Sequence, residues 1–339
     1  MTAKTETLER INIAAASDIG NVRTENEDFY YYSKSKRFIV VCDGMGGHQK
    51  GSVASKIAGE TIRDIMLAND TLREVVIYNK LFNVSKACHD LDTNFSMLIK
   101  KLIAGIRLAN RNIITHSLNK TELQGMGTTL VTAAFNQGEI MIAHVGDSRV
   151  YRLRDGKLKQ MTKDHSWLNE LIEDEEITEE QIHNFRKKNV LTRAMGTVAK
   201  IKVDILIETA QPNDLYLVCT DGLSNALSDD LIQSVLSAYH GSLQNKISNL
   251  VKSAKLMNGS DNITGGLLYI SGHWSPNVQY RQNQYLIGEE PDEVSRYLDK
   301  TIKELYSEMT IKDKLNLRVM VIGAAIVILL LVSVLLLHQ

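Results

Sequence analysis

The chain has 339 residues, with 39 lysines and arginines against 40 aspartates and glutamates, and a formal net charge of -1. That balance gives no electrostatic case for nucleic-acid binding, and a composition of 44% apolar and 23% charged residues with 3 prolines excludes a collagen-like or disordered chain. Three cysteines, Cys42, Cys88 and Cys219, show no CxxC spacing, so neither a disulfide framework nor a zinc site follows, and a reducing compartment is the simplest reading.

The polar N-terminus MTAKTETLERIN lacks the apolar core of a signal peptide. Beyond it, short runs rich in β-branched and aromatic residues predict strands at 38–41, 128–135, 139–145, 149–154, 157–162, 214–220 and 263–270. Asn136-Gln137-Gly138 and Asp155-Gly156 read as hairpin turns, so 128–162 is expected to form an antiparallel meander. Helical periodicity falls at 52–67, at about 96–118, at 229–239 behind the cap candidate Ser228, and at about 243–257. Strands in the middle and helices in two blocks make an α+β pattern with packed antiparallel sheets.

Residues 271–317 carry two of the three prolines and many charges, and are expected to form a polar tether with one amphipathic helix near Glu293 to Lys312. From Val319 to Leu337 no residue is charged. As a helix this run spans about 28 Å, close to the hydrocarbon thickness of a bilayer. Lys312, Lys314 and Arg318 precede it and no basic lysine or arginine follows, which predicts a single-pass anchor at 318–339 with the bulk of the chain on the cytoplasmic side.

The chemistry is expected where strands end. Asp43 follows FIVVC, Asp147 follows MIAHVG, Asp221 follows YLVCT, and Asp261 precedes the strand at Ile263. A carboxylate just past a buried strand sits at the sheet rim, held by rigid backbone yet open to solvent. Several such groups, with Glu27 and Asp28 near by, repel one another unless cations neutralise them. Oxygen-only donors with no histidine or cysteine cluster suit Mg²⁺ or Mn²⁺.

These residues lie in GNVRTENED at 20–28, VCDGMGGH at 41–48, GMGTT at 125–129, VGDSR at 145–149, LTRAMG at 191–196, CTDGL at 219–223 and DNIT at 261–264. The ordered set, spanning about residues 10–270, resembles the metal-dependent type 2C family of serine/threonine protein phosphatases in its bacterial form. The resemblance implies a four-layer α-β-β-α sandwich with a metal centre in a cleft at one end of the two sheets. It implies that Asp43 bridges two metal ions, that Gly44 adds its carbonyl oxygen, and that Asp221 and Asp261 complete the ligands. Asp28 would be a direct or water-mediated ligand with Glu27 beside it, and Asp147 matches the position that holds a third, weaker metal in similar bacterial enzymes. Arg23 matches the residue that grips the substrate phosphate, a task suited to a guanidinium fork. Two metals would activate a bridging water for direct hydrolysis, without a phosphoenzyme.

One position departs from the pattern. Where some members carry a histidine that protonates the leaving oxygen, this chain has Met45, which has no proton to give. His48 in the glycine-rich loop reads as a capping or surface residue. No cysteine heads a Cys-x5-Arg loop and no G-x4-G-K-[ST] loop is present, so thiolate and P-loop chemistries are unsupported. The acidic segment from His165 to Val190 corresponds to a flap beside the active site in similar enzymes, and its charges read foremost as a solvated face. The expectation is a phosphatase domain over 1–270, monomeric, acting with Mn²⁺ or Mg²⁺ on phosphoserine and phosphothreonine in proteins at the cytoplasmic membrane face, opposite a serine/threonine kinase. The competing reading is a catalytically weak, phosphatase-like phosphoprotein-binding module tethered to the membrane.

Overall fold

The computed structural model describes residues 10–46, 49–67, 83–174, 190–238, 241–272 and 280–307. Its strands are β1 (Arg10–Asp18), β2 (Asp28–Ser33), β3 (Phe38–Met45), β4 (Gly127–Thr128), β5 (Leu130–Asn136), β6 (Glu139–Val145), β7 (Arg149–Arg154), β8 (Lys157–Gln160), β9 (Val203–Thr209), β10 (Leu215–Cys219), β11 (Ile263–Ser271) and β12 (Gln282–Ile287). One sheet runs β1-β11-β10-β7-β8, the other β12-β9-β6-β5-β3-β2 with β4 on the end of β3, and every pairing is antiparallel.

Period-two alternation assigns each strand two faces. Ile39 and Val41 meet Tyr216, Val218, Leu268 and Ile270 between the sheets, whereas Phe38, Val40 and Cys42 face the opposite way into a core shared with helices. Those helices are α1 (Gln49–Met66), α2 (Met97–Asn119) and a later helix at 292–307. On the far side, Leu217, Cys219 and Leu267 pack against α3 (Asp229–Ala238) and α4 (Leu243–Met257). Three apolar cores thus separate four layers, helix, sheet, sheet, helix. Serine hydroxyls open three of the helices, at Ser228 as anticipated. Ser96 accepts from Ile99 N, Ser242 from Asn245 N, and Ser228 from Leu231 N.

Two expectations require correction. The stretch 128–162 is not one meander. β5-β6 and β7-β8 are hairpins turning through Gln137-Gly138 and Asp155-Gly156, all at positive φ, but β6 and β7 belong to different sheets. The chain crosses between them at 146–148, a break that local turn signals cannot reveal. The segment 271–317 is likewise no simple tether, although part of the anticipated helix is present. β12 adds to the sheet edge at β9, and the helix at 292–307, named α5 here, buries Val294, Leu298, Ile302 and Leu305 in the core around α2. Arg111 of α2 anchors it, reaching Glu290 and Ser295 at 2.9 Å each. Composition obscured this because α5 is polar on its other face. No helix among the described residues is long and apolar enough to cross a membrane, and the expected span at 318–339 lies outside the described residues.

Ending the chain at 270 instead of 307 is expected to lower the urea midpoint markedly, because β12 and α5 leave an apolar face behind. Leu298→Ala alone is expected to cost about 2–5 kcal/mol. Equal midpoints for the two lengths would show the segment to be passive.

Candidate metal centre

Antiparallel pairing of β2 with β3 sets Asp28 directly opposite Asp43. The backbone of Asp43 is held on both sides. Its N–H donates to Thr129 Oγ1 at 3.0 Å, while its carbonyl accepts from Thr129 N at 2.9 Å and Thr128 Oγ1 at 2.8 Å. Gly44 follows, its N–H donating to Glu27 O at 3.2 Å. A Cβ at Gly44 would stand 2.2 Å from Gly51 O at the start of α1, so only glycine lets helix and strand approach this closely.

The other sheet supplies Asp221, at the start of a one-turn helix directly after β10, and Asp261, two residues before β11. A Cβ on Gly222 would lie 2.0 Å from Asn262 O, so glycine is again what lets these segments meet. Thr220 joins the two sheets, its Oγ1 donating to Asp28 Oδ2 at 3.1 Å and accepting from Thr264 N at 3.1 Å. Asn262 joins the N-terminal loop to β11. Its Oδ1 accepts from Glu27 N at 2.8 Å, and its Nδ2 donates to Ile19 O and Glu25 O at 3.0 Å each. The same loop carries Arg23, whose guanidinium pairs with Asp261 at 2.8 Å at the half-exposed mouth.

Arg23, Glu27, Asp43, Gly44, Asp147, Asp221 and Asp261 line one cleft of about 530 Å³, closed on another side by Met45 and by Leu191, Thr192, Ala194 and Thr197. Asp28 sits beside Asp43, with its Oδ1 shielded from solvent and lacking a hydrogen-bond partner. The anticipated residues are therefore brought together, Asp147 by the crossing between sheets. No described residue lining the cleft is a histidine; His48 and the acidic residues at 175–189 lie outside the described residues. Arg149 of VGDSR faces elsewhere, locked to Asp164 at 2.7 Å and to Tyr151 Oη at 2.8 Å. The residues missed from sequence were Thr128, Thr129, Thr220 and Asn262. Each stands in a quoted motif within two residues of a carboxylate or glycine, but an uncharged hydroxyl or amide reveals its partners only in three dimensions.

Electrostatics shows what the cleft requires. Burial, then the neighbouring charges of Asp28, Asp221 and Asp147, pushes the Asp43 carboxyl far above its ordinary range. Burial and nearby carboxylates lift Asp28 to about 7 and Asp147 to about 7, and raise Asp221 and Glu27 as well. A bound cation relieves both penalties. An all-oxygen donor set with an orphaned carboxylate oxygen fits Mn²⁺ or Mg²⁺.

In chelator, the folded chain retains protons on Asp28 and Asp147 up to about pH 7, whereas unfolded carboxylates release theirs near 4. The folded state then binds more protons than the unfolded state, so stability falls as pH rises through that window. The metal-free unfolding temperature is expected to drop between pH 5 and 7.5, and Asp28→Asn or Asp147→Asn should flatten the drop. A profile unchanged in both variants would contradict this electrostatic picture.

Known proteins resemble this chain. The family model described as Protein phosphatase 2C matches residues 22–256. The Serine/threonine phosphatase stp of Listeria monocytogenes serotype 4b is 33% identical over 251 residues, covering 73% of this chain and 91% of that protein. The solved structure of the Mycobacterium tuberculosis serine/threonine phosphatase PstP/Ppp is 31% identical with a TM-score of 0.63, covering 78% of this chain and 100% of that one. The PstP catalytic domain in complex with 2 manganese ions is 30% identical with a TM-score of 0.61, again over 78% and 100%. The chain belongs to the protein phosphatase 2C family and is a serine/threonine protein phosphatase.

Proposed function

We propose that the cleft hydrolyses phosphoserine and phosphothreonine in proteins with two divalent ions held by Asp43, the Gly44 carbonyl, Asp221 and Asp261, with Asp28 beside them and Asp147 serving a third ion. The observation that carries this reading is the convergence of carboxylates from both sheets on one cleft, where burial and neighbouring charges raise the proton affinities of Asp28, Asp43, Asp147 and Asp221. Bound Mn²⁺ or Mg²⁺ supplies the positive charge that polarises the phosphate ester and acidifies a water. The protein contributes position. Backbone bonds to Thr128 and Thr129 hold Asp43 rigid, and Arg23 offers its guanidinium to phosphate oxygens at the mouth, pre-set by Asp261. Met45, lining the cleft, gives the leaving oxygen no proton.

The uncharged run from Val319 to Leu337 supports a further part of the proposal, that the domain is anchored at the cytoplasmic membrane face and acts there against a protein kinase. The fold extends to at least residue 307, so residues 308–318 alone separate it from the run. Eleven residues reach about 40 Å at most, which keeps the cleft near membrane-bound phosphoproteins at high effective concentration.

Hydrolysis of a phosphopeptide is expected to require Mn²⁺ or Mg²⁺, stop in chelator, and fall by orders of magnitude in Asp43→Ala or Asp221→Ala; full activity in chelator contradicts the reading. Arg23→Ala should raise KM about tenfold or more with metal binding intact, the scale of a lost charged hydrogen bond. Unchanged KM would assign the phosphate to another cation. For the anchor, ending the chain at 310 should move the protein from the membrane to the soluble fraction without loss of activity on a small ester; a full-length chain that fractionates as soluble refutes it.

A further inference from the structure

Behind the 191–197 segment lies a second cluster of chemically active groups, outside the carboxylate cleft. The rings of His144 and His165 stack with centroids 4.6 Å apart, and ligand atoms of His144, His165 and Asp204 all lie within 4.8 Å of one another. Such spacing suits a cation, but Arg193 already supplies one, with its Nη1 2.6 Å from Asp204 Oδ1 and 3.2 Å from His165 Nε2. The backbone contact to Nδ1 fixes the tautomer, because an amide N–H can only donate. Gly146 N–H donates to His165 Nδ1 at 3.0 Å, so in the neutral ring Nε2 carries the proton and faces Asp204 Oδ1 at 3.3 Å. His165 has no lone pair left for a metal.

We propose instead that His165 is a positioning residue that clamps the Asp147 turn to the opposite wall of the cleft, an inference that rests on the reading of Asp147 as a metal ligand. Three bonds carry it. Beside the Nδ1 contact, His165 N–H donates to Gly146 O at 3.0 Å, and His165 O accepts from Thr192 N at 3.0 Å. Gly146 lies in the crossing between sheets, so neither ladder pairs its backbone. One residue satisfies both its N–H and its carbonyl. Its φ of +108° and the 2.7 Å approach of a would-be Cβ to Thr129 show how confined this turn is. Thr129 in turn holds Asp43 N–H and contacts Ser148 Oγ at 2.7 Å.

The other end of the clamp is equally determined. Asp204 stays ionised, at about 2 despite its burial, because the His165 ring faces it and the permanently charged Arg193 guanidinium donates to its Oδ1 at 2.6 Å. An ionised Asp204 demands the proton on Nε2, and that tautomer turns the Nδ1 lone pair toward Gly146. Arg193 belongs to the segment whose neighbours Thr192 and Ala194 line the cleft. The path Arg193, Asp204, His165, Gly146, Asp147 therefore closes between two cleft walls.

The test compares His165→Asn, His165→Gln and His165→Ala in the full-length chain. Asparagine places an acceptor at the distance of Nδ1 from the backbone, glutamine places one too far along, and alanine has none. In metal-free protein, hydrogen exchange in the peptide containing Gly146 is expected to quicken about tenfold or more in the Ala and Gln variants and stay near wild type in Asn. The weakest step of Mn²⁺ binding, followed by calorimetry, should weaken about 10- to 100-fold in the same two variants, with KM for a phosphopeptide unchanged. Should Ala fail to fold, the contrast of Asn with Gln decides. Gly146 exchange that is unchanged in Gln, or as fast in Asn as in Gln, overturns the clamp. Asp147→Asn serves as reference. If it leaves Mn²⁺ binding intact, the assignment of Asp147 falls, while the exchange result still judges the clamp.

Discussion

Like charges crowded at the seam between two sheets are the constraint on which the rest of the structure depends. Asp28, Asp43, Asp147, Asp221 and Asp261 come from both sheets and from the crossing between them, and their mutual repulsion works against folding whenever cations are absent. Three apolar cores offset that cost. The site is thus electrostatically strained by composition and receptive to divalent ions for the same reason.

Holding the carboxylates apart at fixed positions falls to neutral side chains. Thr129 and Thr128 secure Asp43, Thr220 spans from Asp28 to β11, and Asn262 carries the loop that bears Arg23. These groups add no charge to a region already overloaded with it. Each also satisfies backbone groups at strand ends, where ladders run out and an unpaired buried amide or carbonyl is costly. His165 extends the same logic to the crossing at Gly146, the place where no ladder exists.

The C-terminal addition extends the folded unit past β11. β12 and α5 fold back on the sheet edge and on α2, with Glu290 and Arg111 buried against each other. The match to the family model ends at residue 256, before β12 and α5 begin. The addition converts much of a long polar stretch into folded structure.

Local chemistry was legible in the chain itself. Hairpins β5-β6 and β7-β8 followed from Gln137-Gly138 and Asp155-Gly156, the start of α3 from Ser228, and the carboxylates from their place at the ends of apolar runs. β1, β2 and β9 carry weaker alternation, and β12 is largely exposed, so none announced itself. Sequence by itself determined most of the secondary elements, the donor chemistry and the family resemblance, because those depend on residue type and on neighbours a few positions away. Tertiary structure alone decided that β6 and β7 part into different sheets, that Asp147 thereby reaches the cleft, that Arg193 is tied to Asp204 behind it, and that residues 282–307 belong to the fold. Those outcomes depend on contacts between segments tens to hundreds of residues apart, where burial of apolar faces and satisfaction of buried polar groups outweigh any local preference.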